Sequence, residues 1–376
     1  MKICFVAEAN SVHIEKWCRW FLSRGHEVHV ISFTPGDIPG AEIHLMDVGL
    51  SGEESDAAKL KYLTKGRELR RIIEEIVPDV VNVHYATSYG AVAALAGLRG
   101  YALSVWGSDI YDFPKKSALH LAFLKYSLSK ADVLFSTSRA MARETRKYSK
   151  KPIRVTPFGV DTELFSPEKR TREMYSEGRE FRIGTVKKLD PKYGIDDLLR
   201  AAAIVKERKP DLLLTVDIAG TGTHEEEYHR LAEQLGIADI VCWEGFVDQE
   251  KAACIWADLD LAVIPSVLDS ESFGVSAVEA EASGVPVLIS DVPGLMEATR
   301  PGFTSKVVSR QKPEILADAI IDFANDPELC RKLGKNGRKY AVKRYSLEAC
   351  FTHIENCLSE VLCWRDTKQK KYAKKK

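Results

Sequence analysis

The sequence predicts an α/β protein with two doubly wound parallel sheets. Three observations carry that expectation. Short apolar runs alternate with amphipathic stretches along the whole chain, the alternation restarts after residue 180, and 376 residues are too many for one ordinary core. Parallel strands need a crossover, so regular strand–helix alternation builds this kind of sheet. In the first half, runs at 3–7, 28–33, 80–84, 103–106, 133–136 and 153–156 read as strands, with helical patterns at 12–23, 60–76 and 117–129. The second half offers strands at 181–186, 212–219, 240–243, 259–264 and 285–289. Pro157-Phe158-Gly159-Val160-Asp161 opens a stretch of turn formers and charge running to Gly178, which reads as a hinge. The expected division is an N-terminal domain at 1–160, a linker at 161–180, a second domain at 181–345, a last helix at 346–364 and a basic tail at 365–376.

Composition excludes several classes. Formal net charge is zero, so nothing global points to nucleic acid. The eight cysteines never form Cys-x2-Cys or sit beside clustered histidines, so no metal site is expected and a reducing compartment is the default. Residues 3–7 are a five-residue apolar run stopped by Glu8, a first strand rather than a secretory signal, and no run approaches the ~18 apolar residues of a membrane span. A cytoplasmic protein is expected.

Residues 271–279 are the most informative stretch. Glu271 and Glu279 stand eight positions apart around a Phe273-Gly274 break, and Gly284 closes the helix that follows. Glu271 should lie on the loop before that helix, and Glu279 about one turn inside it. The N–H groups of Phe273, Gly274, Val275 and Ser276 would then open a helix N-terminus suited to an anion. Two acids beside an anion site suit a ligand carrying phosphate and hydroxyls, as a nucleotide-activated sugar does.

The stretch resembles the donor-site motif (Glu, seven residues, Glu) of family 4 retaining glycosyltransferases, and Glu279-Ala280-x-Ala282-x-Gly284-Val285-Pro286-Val287 continues the match. The resemblance is strong over about 155–300. It implies the GT-B fold, two Rossmann-like domains facing across a cleft, with a last helix that crosses back to the first domain. It also implies a UDP- or GDP-sugar donor, no cofactor, no metal, and a glycan or lipid-linked saccharide acceptor. Glu279 would accept hydrogen bonds from the ribose diol and Glu271 would touch the transferred sugar. Asp258-Leu259-Asp260 mimics the metal-binding Asp-x-Asp of other transferases, but in this family the pattern opens a buried strand.

Lys188 and Lys192, leaving a strand through a Pro-Gly turn, are placed to neutralise a diphosphate; one charge pair at ~4 Å is worth roughly 4 kcal/mol at an effective dielectric of 20. Lys188 stands where the family has Arg, but Tyr193 occupies the usual Lys position. Gly220-Thr221-Gly222 follows a strand where backbone approaches a ligand or turns sharply, and Glu225 breaks any Gly-x-Gly-x-x-Gly reading. In the resemblance this loop and Phe246-Val247 line the nucleotide pocket, with backbone contacts that leave the base open.

The first half matches less well. Where many members of the family carry a glycine pair after the first strand, this chain has Glu8-Ala9-Asn10-Ser11-Val12-His13; Asn10 and Ser11 read as helix caps, with His13 on the first turn facing the cleft. Trp106 replaces a histidine before Gly107-Ser108-Asp109. Asp109 and His13 are expected to handle the acceptor hydroxyl and sugar, and Asn10 and His84 to bind the acceptor. Residues 115–154 carry eleven Lys/Arg against two acids, interleaved with Leu119, Leu121, Phe123 and Leu124, and six lysines follow Thr367. An anionic membrane surface suits this pattern; so do a solvated face, a buried crossover helix and a disordered lysine tail. Competing readings are a sugar-nucleotide epimerase on the same fold, a nucleotide-sugar-binding protein without turnover and, least favoured, an NAD-dependent oxidoreductase.

Overall fold

The computed structural model describes residues 1–49 and 58–373. In chain order the elements are β1 (Lys2–Val6), α1 (Val12–Ser23), β2 (Glu27–Ser32), β3 (Glu42–Leu45), α2 (Gly66–Ile76), β4 (Val80–His84), α3 (Tyr89–Leu95), β5 (Tyr101–Val105), α4 (Ser108–Tyr111), α5 (Ala118–Lys130), β6 (Val133–Ser136), α6 (Arg139–Thr145) and β7 (Ile153–Val155). They continue with β8 (Phe181–Val186), α7 (Ile195–Arg208), β9 (Leu214–Ala219), α8 (Glu225–Gln234), β10 (Val241–Gly245), α9 (Gln249–Asp258), β11 (Leu261–Ile264), α10 (Val275–Ala282), β12 (Val287–Ser290), α11 (Pro293–Ala298), β13 (Ser305–Val308), α12 (Pro313–Asn325), α13 (Pro327–Tyr345) and α14 (Leu347–Ala373). Met1–Phe158 with the chain from Cys350 on form one compact unit, and Gly159–Ala349 form the other.

The first unit holds a seven-stranded parallel sheet in the order β3-β2-β1-β4-β5-β6-β7. Its central strands are buried on both faces, as parallel sheets covered by helices must be. Helix α1 turns Trp17, Trp20 and Phe21 inward, where they meet Phe351 of α14 with ring centroids 5.6, 5.6 and 6.4 Å apart. His26 bonds Glu355 at 2.7 Å and Arg154 donates to Glu360 at 2.9 Å, so α14 is held by both packing and polar contacts. This helix runs past the expected end at 364. The side chains of the lysine tail lie outside the described residues.

The second unit carries six parallel strands in the order β10-β9-β8-β11-β12-β13. Two strands, β3 and β13, are absent from the sequence reading because each is only four residues long and partly exposed. The segment expected as a hinge at 161–180 is tied into this unit. Asp260, nearly inaccessible, accepts from Arg172 Nη1 (2.6 Å), Arg170 Nη1 (3.3 Å) and the amides of Tyr175 (3.0 Å) and Arg182 (3.1 Å). Asp258 accepts from the amide and hydroxyl of Thr171, both at 2.7 Å. The Asp-x-Asp pair is thus a fastening for this segment. Among the described residues no helix is long and apolar enough to cross a membrane, and the eight cysteines are free thiols.

Candidate functional site

In the second unit the strand order reverses between β8 and β11, because β9 and β10 lie to one side of β8 while β12 and β13 lie beyond β11. Ligands of open α/β sheets sit beyond the carboxyl ends of strands at such a point. The loops that carry the predicted donor residues leave the strands there: Lys188 lies two positions past β8, Gly220 follows β9, Phe246 follows β10, and the loop carrying Glu271 follows β11.

Across the reversal runs a buried ion pair: Lys187 Nζ lies 3.1 and 3.0 Å from the two oxygens of Glu271. Both side chains are about one-tenth exposed. Lys187, not Lys188, therefore meets the acid. Its amide still donates to the Ala219 carbonyl (2.9 Å), so the strand's alternation persists and sends residues 187 and 188 to opposite sides. Lys188 is exposed and forms no ion pair among the described residues, which leaves its charge available to a ligand. Tyr193, at the position where the motif has lysine, packs between cations. Its ring has Lys187 Nζ at 4.6 Å and Lys192 Nζ at 4.8 Å from its centroid, gathering two cations around one π system. Burial and the nearby Glu271 charge push its phenol upward.

The loop between β11 and α10 is fixed by Arg310, which donates to the Val267 carbonyl (2.8 Å) and Asp269 (2.9 Å) while bonding Asp291 (2.9 Å). Nothing in the local sequence marks Arg310, which arrives from beyond β13. Phe273 is buried edge-on against Tyr345 at 5.1 Å. Gly274 begins α10 at φ +83, a left-handed conformation, and a Cβ there would come within 2.5 Å of Leu295 Cδ2. Val275 is the first helical residue, and Ser276 donates to the Val186 carbonyl at 3.2 Å, pinning the helix start to the end of β8. Glu279 follows within the helix and is buried. The start of the helix is thereby fixed beside the residue that precedes Lys187.

Gly220 and Gly222 serve the fold first. A Cβ at Gly220 would meet the Lys187 carbonyl at 1.9 Å, and one at Gly222 the Leu189 carbonyl at 2.1 Å. These glycines let the loop lie against the backbone after β8; Thr221 between them is exposed and its carbonyl accepts from the Leu189 amide at 3.0 Å. Val247 is half-buried, whereas Phe246 is 81% exposed. An aromatic ring left that open beside strand ends is a free stacking surface.

The first unit revises two expectations. Asp109 is wholly buried and accepts from the amides of Ala86 (2.9 Å), Trp106 (3.1 Å) and Gly107 (2.8 Å). Burial raises its carboxyl above the ordinary range while these amides pull the other way. It shapes the loop after β5 and exposes no atom to an acceptor. His84 sits in an aromatic cage of Phe5, Trp17 and Trp106, accepts from Trp106 Nε1 at 3.2 Å, and is pushed down to about 3 by burial. It too is core. A terminal position on a strand facing its carboxyl end is no guarantee of exposure when large aromatics close over it. His13 remains half-exposed, stacked on Phe158 at 4.2 Å and edge-on to Trp106 at 5.7 Å. Asn10 is exposed before α1, and Ser11 occupies the N-cap position without a side-chain cap bond.

Comparison with known proteins agrees with this architecture. Residues 2–138 match the family described as glycosyl transferase 4-like, and residues 168–340 match glycosyl transferases group 1. EpsD of Bacillus subtilis is 27% identical over 342 residues, 86% of this chain and 87% of that protein. The D-inositol 3-phosphate glycosyltransferase of Corynebacterium aurimucosum is 30% identical over 325 residues, 77% of this chain and 73% of its own length. HepE of Anabaena, solved in complex with UDP, shares the fold with a TM-score of 0.78 at 19% identity, over 96% of this chain and 100% of that one. Two Rossmann-like parallel-sheet domains, a family match in each half and a relative covered over most of its length converge: the chain belongs to the group 1 glycosyltransferases, with a family 4-like N-terminal region, and is a GT-B glycosyltransferase.

Proposed function

We propose that this glycosyltransferase moves a sugar, with retention at the anomeric carbon and without a metal ion, from a UDP- or GDP-sugar to a hydroxyl of a glycan or lipid-linked saccharide. The observation that carries the reading is the Lys187–Glu271 pair at the strand reversal, beside the N-terminus of α10 with Glu279 buried within that helix. Glu279 accepts from the ribose diol. Glu271, held by Lys187, presents its carboxylate to hydroxyls of the transferred sugar. Lys188 and Lys192 meet the diphosphate together with the first-turn amides of α10, and Phe246 with the backbone of Val247 and the 220–222 loop receives the base.

The bond from the anomeric carbon to the phosphate oxygen breaks as charge builds on the diphosphate, through an oxocarbenium-like state. Fixed cations and amide dipoles stabilise that charge where it develops. The acceptor oxygen forms the new bond on the same face, and its proton passes to the departing phosphate oxygen. His13 is the first unit's candidate for the acceptor hydroxyl.

A melting-temperature screen of UDP- and GDP-sugars against the wild type, Lys188→Met and Lys187→Met tests the assignment. One base with one sugar should stabilise the wild type. Lys188→Met should weaken nucleoside diphosphate and nucleotide sugar alike, whereas Lys187→Met should lose mainly the sugar's share. Turnover in EDTA, with the product's anomeric configuration read by NMR, completes it. An inverted product or EDTA-sensitive turnover at a temperature far from unfolding would refute the mechanism.

A second proposal concerns location. Helix α5 exposes Lys115 and Lys116 just before it, then Leu119 (78% exposed) and Lys125, although Leu124 is buried. Basic residues beside an anionic leaflet contribute about 1 kcal/mol each. We infer peripheral binding on the cytoplasmic face, where a lipid-linked acceptor is presented. Flotation with anionic but not neutral vesicles is expected, and equal flotation with both would sink the idea.

A further inference from the structure

Three side chains of the first unit converge at the edge of its sheet, apart from the residues discussed above. Strands β2 and β3 pair in parallel with His29 opposite Glu42 and Ile31 opposite His44. The two-residue alternation places His29, Glu42 and His44 on one face. His29 Nδ1 lies 3.1 Å from His44 Nε2, and Glu42 oxygens lie 3.5 Å from the first nitrogen and 3.6 Å from the second. Ligand bonds of 2.0–2.1 Å in tetrahedral geometry separate donor atoms by about 3.4 Å, the size of this triangle.

The outer contacts point the same way. Glu27 Oε1 accepts from His29 Nε2 at 2.9 Å, and Glu27 is itself paired with Lys2 at 3.0 Å. With Nε2 turned to Glu27, Nδ1 is the ring nitrogen that faces the triangle. A histidine whose second nitrogen donates to a carboxylate is the usual support of a metal ligand. A hydrogen bond from His44 to His29 accounts for the 3.1 Å distance alone. It leaves the Glu42 carboxylate, 3.5 and 3.6 Å from the same two nitrogens, to be accounted for as the third corner of the triangle.

We propose that His29 Nδ1, His44 Nε2 and Glu42 bind one zinc-class divalent ion, with water as fourth ligand, clasping edge strand β3 onto β2. The site is structural and takes no part in sugar transfer. The chain-wide cysteine and histidine spacing gives no hint of it, because the two histidines lie 15 positions apart and only strand pairing joins them.

Calorimetric titration of the metal-stripped full chain with Zn2+, and the absorption spectrum with Co2+, test the proposal. One ion per chain is expected, with a tetrahedral Co2+ spectrum lacking a thiolate charge-transfer band and a melting transition that rises with Zn2+. Glu42→Gln and His44→Gln should each weaken binding at least tenfold, and Glu27→Gln by roughly 10- to 100-fold. Glu42 is largely exposed, so Glu42→Gln should fold and turn over normally. No binding by the wild type overturns the proposal. So does undiminished binding by a His29→Gln/His44→Gln double variant, which would place the ion on the thiols.

Discussion

At the scale of single residues, the chain separates acids by their surroundings. Glu271 is buried but paired, Asp109 is buried but bonded by amides, and Glu281 is buried with neither oxygen meeting a donor among the described residues. Burial pushes Glu281 up to about 8. Its folded value lies above its unfolded one, so the folded chain retains a proton that the unfolded chain has released. Stability therefore falls as pH rises from the ordinary glutamate range to about 8, by up to roughly 1.4 kcal/mol per pH unit. Glu281→Gln should remove that slope: compared by urea midpoints, the variant gains on the wild type between pH 5 and pH 8. A difference that stays flat over that interval would count against the account. The sequence shows Glu281 only as one more polar position in a helix; three-dimensional burial decides its chemistry. The same holds for Lys187 and Lys188, adjacent cations whose roles differ because one faces Glu271 and the other faces solvent.

Elements position these residues through a few backbone constraints. Helix α10 begins at Gly274 because only glycine adopts φ +83 there at little cost, and its first turn is pinned to β8 by Ser276. Gly274→Ala adds a methyl against Leu295 and forces a left-handed alanine, a strain of about 1–2 kcal/mol. The expected outcome is a modest loss of melting temperature with a larger loss of nucleotide-sugar affinity. Adding Leu295→Ala should restore room but not the backbone strain. Full affinity in the single variant would mean that the helix start is not part of the site. Most strands were legible from their apolar runs, and the Glu-x7-Glu spacing placed Glu271 on the loop and Glu279 in the helix, as observed. The short strands β3 and β13 were not, since four residues with mixed exposure carry too little pattern.

For the whole molecule, stability is built into each unit from distant parts of the chain. Phe351 of α14 is fully buried against Trp17, Trp20 and Phe21 of α1, although some 330 residues intervene. Phe351→Ala should cost about 3–5 kcal/mol, seen as an early melting transition of the first unit, with nucleotide binding by the second retained below it. A cost under about 1 kcal/mol would show that the helix is not integral to that core. Most of the strands, the repeated α/β pattern and the donor motif were determined by the sequence alone, because periodicity and turn chemistry are local. Which lysine meets Glu271, the enclosure of Asp109 and His84, and the meeting of His29, Glu42 and His44 were decided only by the tertiary structure. Those outcomes depend on strand register and on which side chains close over one another, interactions between residues that no local pattern connects.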